Sequence, residues 1–302
     1  MSNMNQRVPT SMNTAYLLGS LRRFAALALC MGAWSANAAQ VWQSLPPMPR
    51  LPRGTIDRHV EVGGARIWYA EWGGPSKAIP VLLLHGGLGN SNYYGKLIPV
   101  LVDHGYRVIA MDSRGHGRST RSGAPYSYHL MAEDVIGLLD ALKIARVSVI
   151  GWSDGGIIGL DLALNRPDRL AGLFAFGANA DVSGAKDGVD KNPVFAAYLA
   201  RVPEEYRQLS PTPDQWESFS AAIGKMWETQ PTFRTDQLQS LKVRIVIADG
   251  EYDEAIRPEH TRYMASNIPG ARLLILPNLS HFAVLQSPQT FNAAVLEFLR
   301  ER

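Results

Sequence analysis

A chain of 302 residues, 46% of them hydrophobic, is long enough to bury one large core, and nothing in its composition requires two domains. Its 30 basic and 27 acidic side chains give a net charge of +3, but Arg7, Arg22 and Arg23 lie in the first 38 residues, which carry no acid, so the remainder holds 27 of each and has no global field for nucleic acid or anionic lipid. The only cysteine, Cys30, sits in that same leader, which excludes a disulfide, a thiolate nucleophile or a cysteine metal site from the remainder.

Residues 1–38 read as a secretory signal peptide. Arg22 and Arg23 precede an apolar run over 24–34, and Ala36-Asn37-Ala38 supplies the small residues of a cleavage site. About ten apolar residues are too few to span a bilayer, so no stable membrane insertion is expected after removal of the signal. The arginine pair lacks the rest of a twin-arginine pattern, and the bulky Leu29 before Cys30 fits poorly with lipoprotein anchoring. The expected destination is the periplasm or the exterior.

Residues 39–56, with Pro46, Pro47, Pro49 and Pro52, read as a linker or an extended surface arm. A domain follows over 57–302. Two β-like runs, 59–62 and 66–72, flank Gly63-Gly64 and predict a hairpin. The apolar run 78–84 predicts a strand covered on both faces, leading into His85-Gly86-Gly87-Leu88-Gly89. A helix is expected over 93–104, a strand over 107–111, and a polar turn from Asp112 to Ser119. Helical spacing returns over 129–143. A strand at 147–150, a helix over 155–164 and a strand at 170–176 continue the alternation, which implies parallel pairing with helices on both sheet faces. Over 181–241 no strand-like run appears, while 192–202 and 214–229 look helical; this predicts a small helical cap. Alternation resumes with a strand at 243–248, a helix near 259–267, a strand at 271–276 and a last helix over 288–302.

The chemistry centres on Gly151-Trp152-Ser153-Asp154-Gly155, a Gly-x-Ser-x-Gly between a strand and a helix. That order lifts a serine hydroxyl clear of the sheet at a helix N-terminus, where orphan N–H groups and the helix dipole favour developing negative charge. Gly151 and Gly155 are expected where strand and helix backbones leave no room for a Cβ. A serine needs a base, usually a histidine oriented by a carboxylate, and in a parallel sheet such groups gather beyond the carboxyl ends of the strands. Ser153, Asp253 and His281 each follow a strand end, in the order Ser, Asp, His. Asp249 and Asp181 are the other carboxylates near strand ends. His85 and His116 are expected to serve their own turns, and His59, His104, His129 and His260 to lie on the surface. The expected oxyanion donors are the amide of Asp154 and one from the glycine loop, Gly87 in preference to Leu88. Trp152, Met226 and Trp227 are expected substrate contacts, and neither metal nor organic cofactor is needed.

The segments from His85 to Gly87, Asp112 to Ser119, Gly151 to Gly156, Gly250 to Asp253 and Ser280-His281 resemble the successive motifs of the α/β-hydrolase superfamily. The resemblance implies an α/β fold with a mostly parallel sheet, Ser153 as nucleophile, His281 as base and Asp253 as its orienting acid. Gly-Trp-Ser-Asp-Gly-Gly followed by the segment from Phe176 to Ala180 resembles the valacyclovir-hydrolase-like esterases, and implies that Asp154 binds a substrate ammonium. The expected activity is hydrolysis of carboxylic esters. Triad order also fits a lactonase, an amidase or a cofactor-free perhydrolase or haloperoxidase, and a catalytically silent binding protein is the reading from another class. Ser153 in place of an aspartate disfavours a haloalkane dehalogenase.

Overall fold

The computed structural model describes residues 40–52, 56–74 and 78–301; the expected signal segment lies outside them. Eight strands form one sheet in the order β1-β2-β4-β3-β5-β6-β7-β8. The hairpin is present as β1 (Ile56–Val62) and β2 (Ala65–Trp72), with Val62 opposite Ala65. Gly63 and Gly64 both take positive φ (52° and 75°), which a two-residue turn matching strand twist requires. β2 runs antiparallel to β4 (Val108–Met111). From β4 onward every pairing is parallel, through β3 (Val81–Leu84), β5 (Val147–Trp152), β6 (Leu170–Phe176), β7 (Ile245–Gly250) and β8 (Arg272–Leu276).

Every residue of β3, β4, β5 and β7 is buried, as a strand covered on both faces must be. In β6, Leu173 meets Gly159 of α3 (Asp154–Asn165), while its neighbour Phe174 points the other way onto Phe291 and Phe298 of α9 (Pro288–Arg300). Helices therefore flank both sides of the sheet. The remaining helices are α1 (Ile98–Asp103), α2 (Tyr128–Ala141), α7 (Pro258–Asn267) and the short α8 (Ala283–Gln286). Between β6 and β7 stand α4 (Pro193–Leu209), α5 (Trp216–Trp227) and α6 (Thr235–Ser240), with Asp181 paired to Thr232 as an isolated bridge.

Two expectations change. The helix expected over 93–104 is broken: a 3-10 turn (Ser91–Tyr94) stands apart from α1, and the chain between them bonds three residues back, Gly95 N–H to Asn92 O and Leu97 N–H to Tyr94 O, while the carbonyl of Arg50 fills the space a Cβ on Gly95 would need. The segment 41–51 lies against the domain, with Leu45, Met48 and Leu51 packed on the core and Arg201 of α4 donating to the carbonyl of Pro46 at 2.7 Å. His260, expected at the surface, is buried and its Nε2 accepts the N–H of Ala180 at 2.9 Å. Among the described residues, no helix is long and apolar enough to cross a membrane.

Candidate active site

The strand–turn–helix at Ser153 has the geometry its glycines require. A Cβ on Gly151 would strike the carbonyl of Gly155, and one on Gly155 the carbonyl of Leu84. Between them Ser153 takes φ 53° and ψ −120°, a conformation that costs a non-glycine residue roughly 1–3 kcal/mol and persists only where the surroundings enforce it. Here they do: the Ser153 N–H donates to Phe176 O at 2.7 Å, and the Ser153 carbonyl accepts from Gly156 and Ile157 in the first turn of α3. The side chain is half-buried at the carboxyl end of β5, ahead of the positive end of the α3 dipole.

His281 and Asp253 come together from the ends of β8 and β7. Nδ1 of His281 lies 2.7 Å from Oδ2 of Asp253, and both side chains are 3% exposed. A carboxylate only accepts, so Nδ1 carries the proton and Nε2 keeps the lone pair. The other oxygen of Asp253 accepts the N–H groups of Ala255 and Ile256, each at 2.7 Å. Burial alone would raise the pKa of Asp253; the charge and hydrogen bond of His281, helped by these other donors, outweigh it and hold the carboxyl at about 2. Burial pulls the imidazole down, but the Asp253 charge wins and leaves His281 above the ordinary histidine value. Asp249 instead accepts from the N–H of Gly250 (2.8 Å) and the hydroxyl of Thr261 (2.7 Å), and burial together with the Asp253 charge pushes its pKa well up. Asp181 caps its own turn through the N–H of Ser183.

The glycine loop reaches the same rim. A Cβ on Gly86 would stand 3.2 Å from Cβ of Ser153, and one on Gly87 would stand 2.5 Å from Oδ2 of Asp154. The expected oxyanion donors, Gly87 and Asp154, are therefore neighbours beside Ser153. Asp154 opens α3, where a backbone N–H has no partner within the helix. His85 is occupied at both nitrogens, by Gly86 O (2.8 Å) and by the N–H of Ser113 (3.0 Å), and His116 bonds Arg114 O at 3.0 Å. Burial keeps both neutral, His116 down to about 3.

The expected substrate contacts divide. Trp152 is a correction: it is 1% exposed, its Nε1 donates to the carbonyl of His281 at 2.8 Å, and its ring packs against Tyr93 and Phe282, so it supports the base loop from beneath. Trp227 of α5 donates to both oxygens of Asp154 (3.2 and 3.0 Å), and its ring lies against Gly87. Tyr128 adds a hydroxyl bond to Oδ1 of Asp154 at 2.9 Å. Burial raises the Asp154 pKa to about 6 against the pull of these donors. Met226 is buried and borders a cavity shared with Arg121, Tyr126, Lys225 and Gln230, between α5 and the loop before α2.

Several site residues escaped the sequence reading. Gly177, just past β6 at φ 61°, faces the imidazole: a Cβ there would come within 2.8 Å of Cε1 and 2.9 Å of Nδ1 of His281. Its motif was visible, its contact was not. Gly177→Ala is expected to fold with a loss of about 1 kcal/mol or more from the positive φ and to lower kcat about 10²-fold by displacing the ring. Urea melts and ester kinetics together check this; unchanged kcat would mean the ring is not where turnover happens. Glu254 accepts the backbone N–H of His281 at 3.1 Å, and Tyr198 of α4 donates to the carbonyl of Gly87 at 2.7 Å. Neither announces itself in sequence. Among the described residues no group of His, Cys, Asp and Glu could hold a metal.

Comparison with known proteins agrees with this geometry at the level of fold. Residues 79–215 match the family model of the α/β hydrolase fold. RutD of Caulobacter sp. (strain K31), whose name provisionally assigns it carbamate hydrolysis, is 29% identical over 279 residues, covering 82% of this chain and 98% of that protein. Serine hydrolase BPHL of Mus musculus is 28% identical over 266 residues, covering 84% and 90%. A solved structure described as Est816, an N-acyl homoserine lactone degrading enzyme, aligns with TM-score 0.64 at 25% identity over 80% of this chain and all of that one.

Proposed function

Because this chain is an α/β hydrolase by fold, with hydrolases as its relatives, we propose that it is an exported serine hydrolase cleaving carboxylic esters through an acyl-enzyme. Ser153 attacks the ester carbonyl while Nε2 of His281 takes its proton, and Asp253 stabilises the imidazolium that results. The amides of Asp154 and Gly87 receive the oxyanion. His281 then protonates the leaving alcohol, and a water, deprotonated by the same nitrogen, releases the acid. The observation that carries this reading is the buried 2.7 Å bond between His281 and Asp253, on the strand-end rim where Ser153 is held in its strained turn.

Lactones fall within the same chemistry, since a lactone is an ester whose leaving alcohol stays attached; the Est816 likeness favours testing one. A fluorophosphonate probe, followed by p-nitrophenyl esters of short and long acyl chains, an N-acyl homoserine lactone and an aminoacyl ester, tests the proposal. Folded protein that takes no label at Ser153 would instead favour a silent binding module. Export is tested by the mass of the mature chain, which should lack residues 1–38.

The carboxylate of Asp154 we assign to holding the cap over the site. Tyr128 and Trp227 already donate to it and the side chain is buried beneath them, leaving little room for a substrate ammonium. A lost ammonium–carboxylate bond would cost roughly tenfold or more. Asp154→Asn should therefore change the ratio of aminoacyl to simple acyl ester turnover by less than that, while lowering the thermal midpoint. A selective collapse of aminoacyl ester turnover would restore the ammonium role.

A further inference from the structure

The arm that precedes the domain touches both loops that carry the base and its acid. The contact runs through Gln286, the last residue of α8. Its Oε1 accepts the N–H of Ser280 at 2.9 Å, and its Nε2 lies 2.8 Å from the carbonyl of Ser44, 3.2 Å from that of Trp42 and 2.8 Å from Oγ of Ser280. The amide cannot be flipped: the Ser280 N–H only donates and the two arm carbonyls only accept, so oxygen must face the one and nitrogen the others. From Ser280 the network continues. Its hydroxyl donates to Oε1 of Glu254 at 3.3 Å, and Oε2 of Glu254 accepts the N–H of His281. Asp253 is the residue before Glu254.

A second contact is independent of the first. The indole of Trp42, in the 3-10 turn Val41–Gln43, stacks on the phenol of Tyr252, with ring centroids 4.5 Å apart and planes 13° from parallel. Tyr252 directly precedes Asp253, and its N–H donates to Leu279 O in the base loop at 2.9 Å. The turn Val41–Gln43 and the Ser44 that follows it therefore grip the acid loop by an aromatic face and, through Gln286, the base loop by two carbonyls. Neither contact contributes to the hydrophobic core.

We propose that the turn Val41–Gln43 is a positioning element of the reacting site, acting through Gln286 on His281 and through Tyr252 on Asp253. The inference rests on the serine-hydrolase reading for its catalytic consequence, though not for the geometry it asserts. Gln286 and Trp42 are positioning residues: they fix where Nε2 of His281 points, and a displacement of about 1 Å at a reacting group can cost 10²-fold. The groups facing His281 are Asp253, Glu254 and Asp154. Loosening the two loops lengthens the Asp253 contact first, since that bond joins one loop to the other.

The test uses the full chain carrying Gln286→Leu, Trp42→Ala, their combination, and Trp42→Phe, with steady-state kinetics across pH and NMR titration of the His281 imidazole. Each disruptive single variant should lower kcat about tenfold with KM within about twofold, and move both the acid limb and the imidazole pKa downward. Trp42→Phe, which keeps a stacking face, should restore most of the rate. The double variant should be little worse than the weaker single, because both act on one strap. Gln286→Leu could fail to fold, since it leaves the Ser280 N–H unpaired; Trp42→Ala, half-buried on the surface, then decides alone. Unchanged kcat, acid limb and imidazole pKa in folded variants would overturn the strap. If the wild-type chain turns over no ester, the serine-hydrolase reading falls, and the imidazole titration still reports whether the arm holds the ring.

Discussion

Ser153→Ala is expected to lower kcat/KM for a p-nitrophenyl ester by about 10⁴-fold or more and to abolish fluorophosphonate labelling, with a thermal midpoint close to that of the parent. The two halves of this expectation have different causes. Removing the hydroxyl removes the only bond-forming atom the proposal gives the protein, while the backbone donors of Asp154 and Gly87 stay, so the residual rate should remain above that in water. Stability should hardly move because alanine keeps the Cβ that makes φ 53° costly, and the bonds that enforce it are backbone bonds to Phe176, Gly156 and Ile157. Ser153→Gly separates the effects further: it should be as inactive as alanine and more stable by about 1 kcal/mol, the strain having been released. Activity within tenfold of the parent in Ser153→Ala would end the nucleophile assignment.

The fold was legible wherever a local signal coincided with a tertiary need. β3 and β4 are buried along their whole length, so their sequences are continuous apolar runs, and glycines follow each in the polar turn beyond it. The order Ser153, Asp253, His281 was readable because parallel strands send all their carboxyl ends to one rim. What was not legible depended on distant chain. The approach of the Arg50 carbonyl to Gly95, possible only because residue 95 lacks a Cβ, lies outside any window around Gly95. His260 reads as a surface histidine in its helix, and is buried because Ala180, 80 residues earlier, offers an N–H. Trp152 has a pocket-side position in the motif but a core-side contact, its indole reaching 129 residues along the chain to His281. Gln286 and Glu254 are polar residues of a kind that usually faces water; only the fold turns them toward the loops they bind.

These long-range contacts share a physical role. On the proposed mechanism the motif residues supply the reacting atoms, and groups from remote segments fix their orientation: Gly177 by leaving room for the imidazole, Glu254 by holding its backbone, and Tyr198 by holding the carbonyl of Gly87. Orientation is where catalytic rate is most easily lost. A sequence reading confined to motifs therefore finds the candidate reacting groups before it finds the contacts that orient them.

Asp253→Asn should show how much of the rate depends on a single proton's location. Oδ1 of Asp253 accepts two backbone N–H groups, and an asparagine would keep its carbonyl oxygen there for the same reason. Its NH₂ would then face Nδ1 of His281 in place of Oδ2. A donor at that place forces the lone pair onto Nδ1 and the proton onto Nε2, where no base is left for Ser153. The expected loss is about 10⁴-fold in kcat, with circular dichroism unchanged. The pH dependence gives the sign. In the parent, the Asp253 charge outweighs burial and keeps the His281 pKa above 6.5, so activity should fall as pH drops through that raised value. In the variant the Asp253 contribution is gone while burial remains, with Glu254 and Asp154 the acids still facing the ring, and the acid limb of the residual activity should move to lower pH. A variant within tenfold of the parent and with its acid limb unmoved would transfer the orienting role to Glu254, whose carboxylate already lies on the His281 backbone.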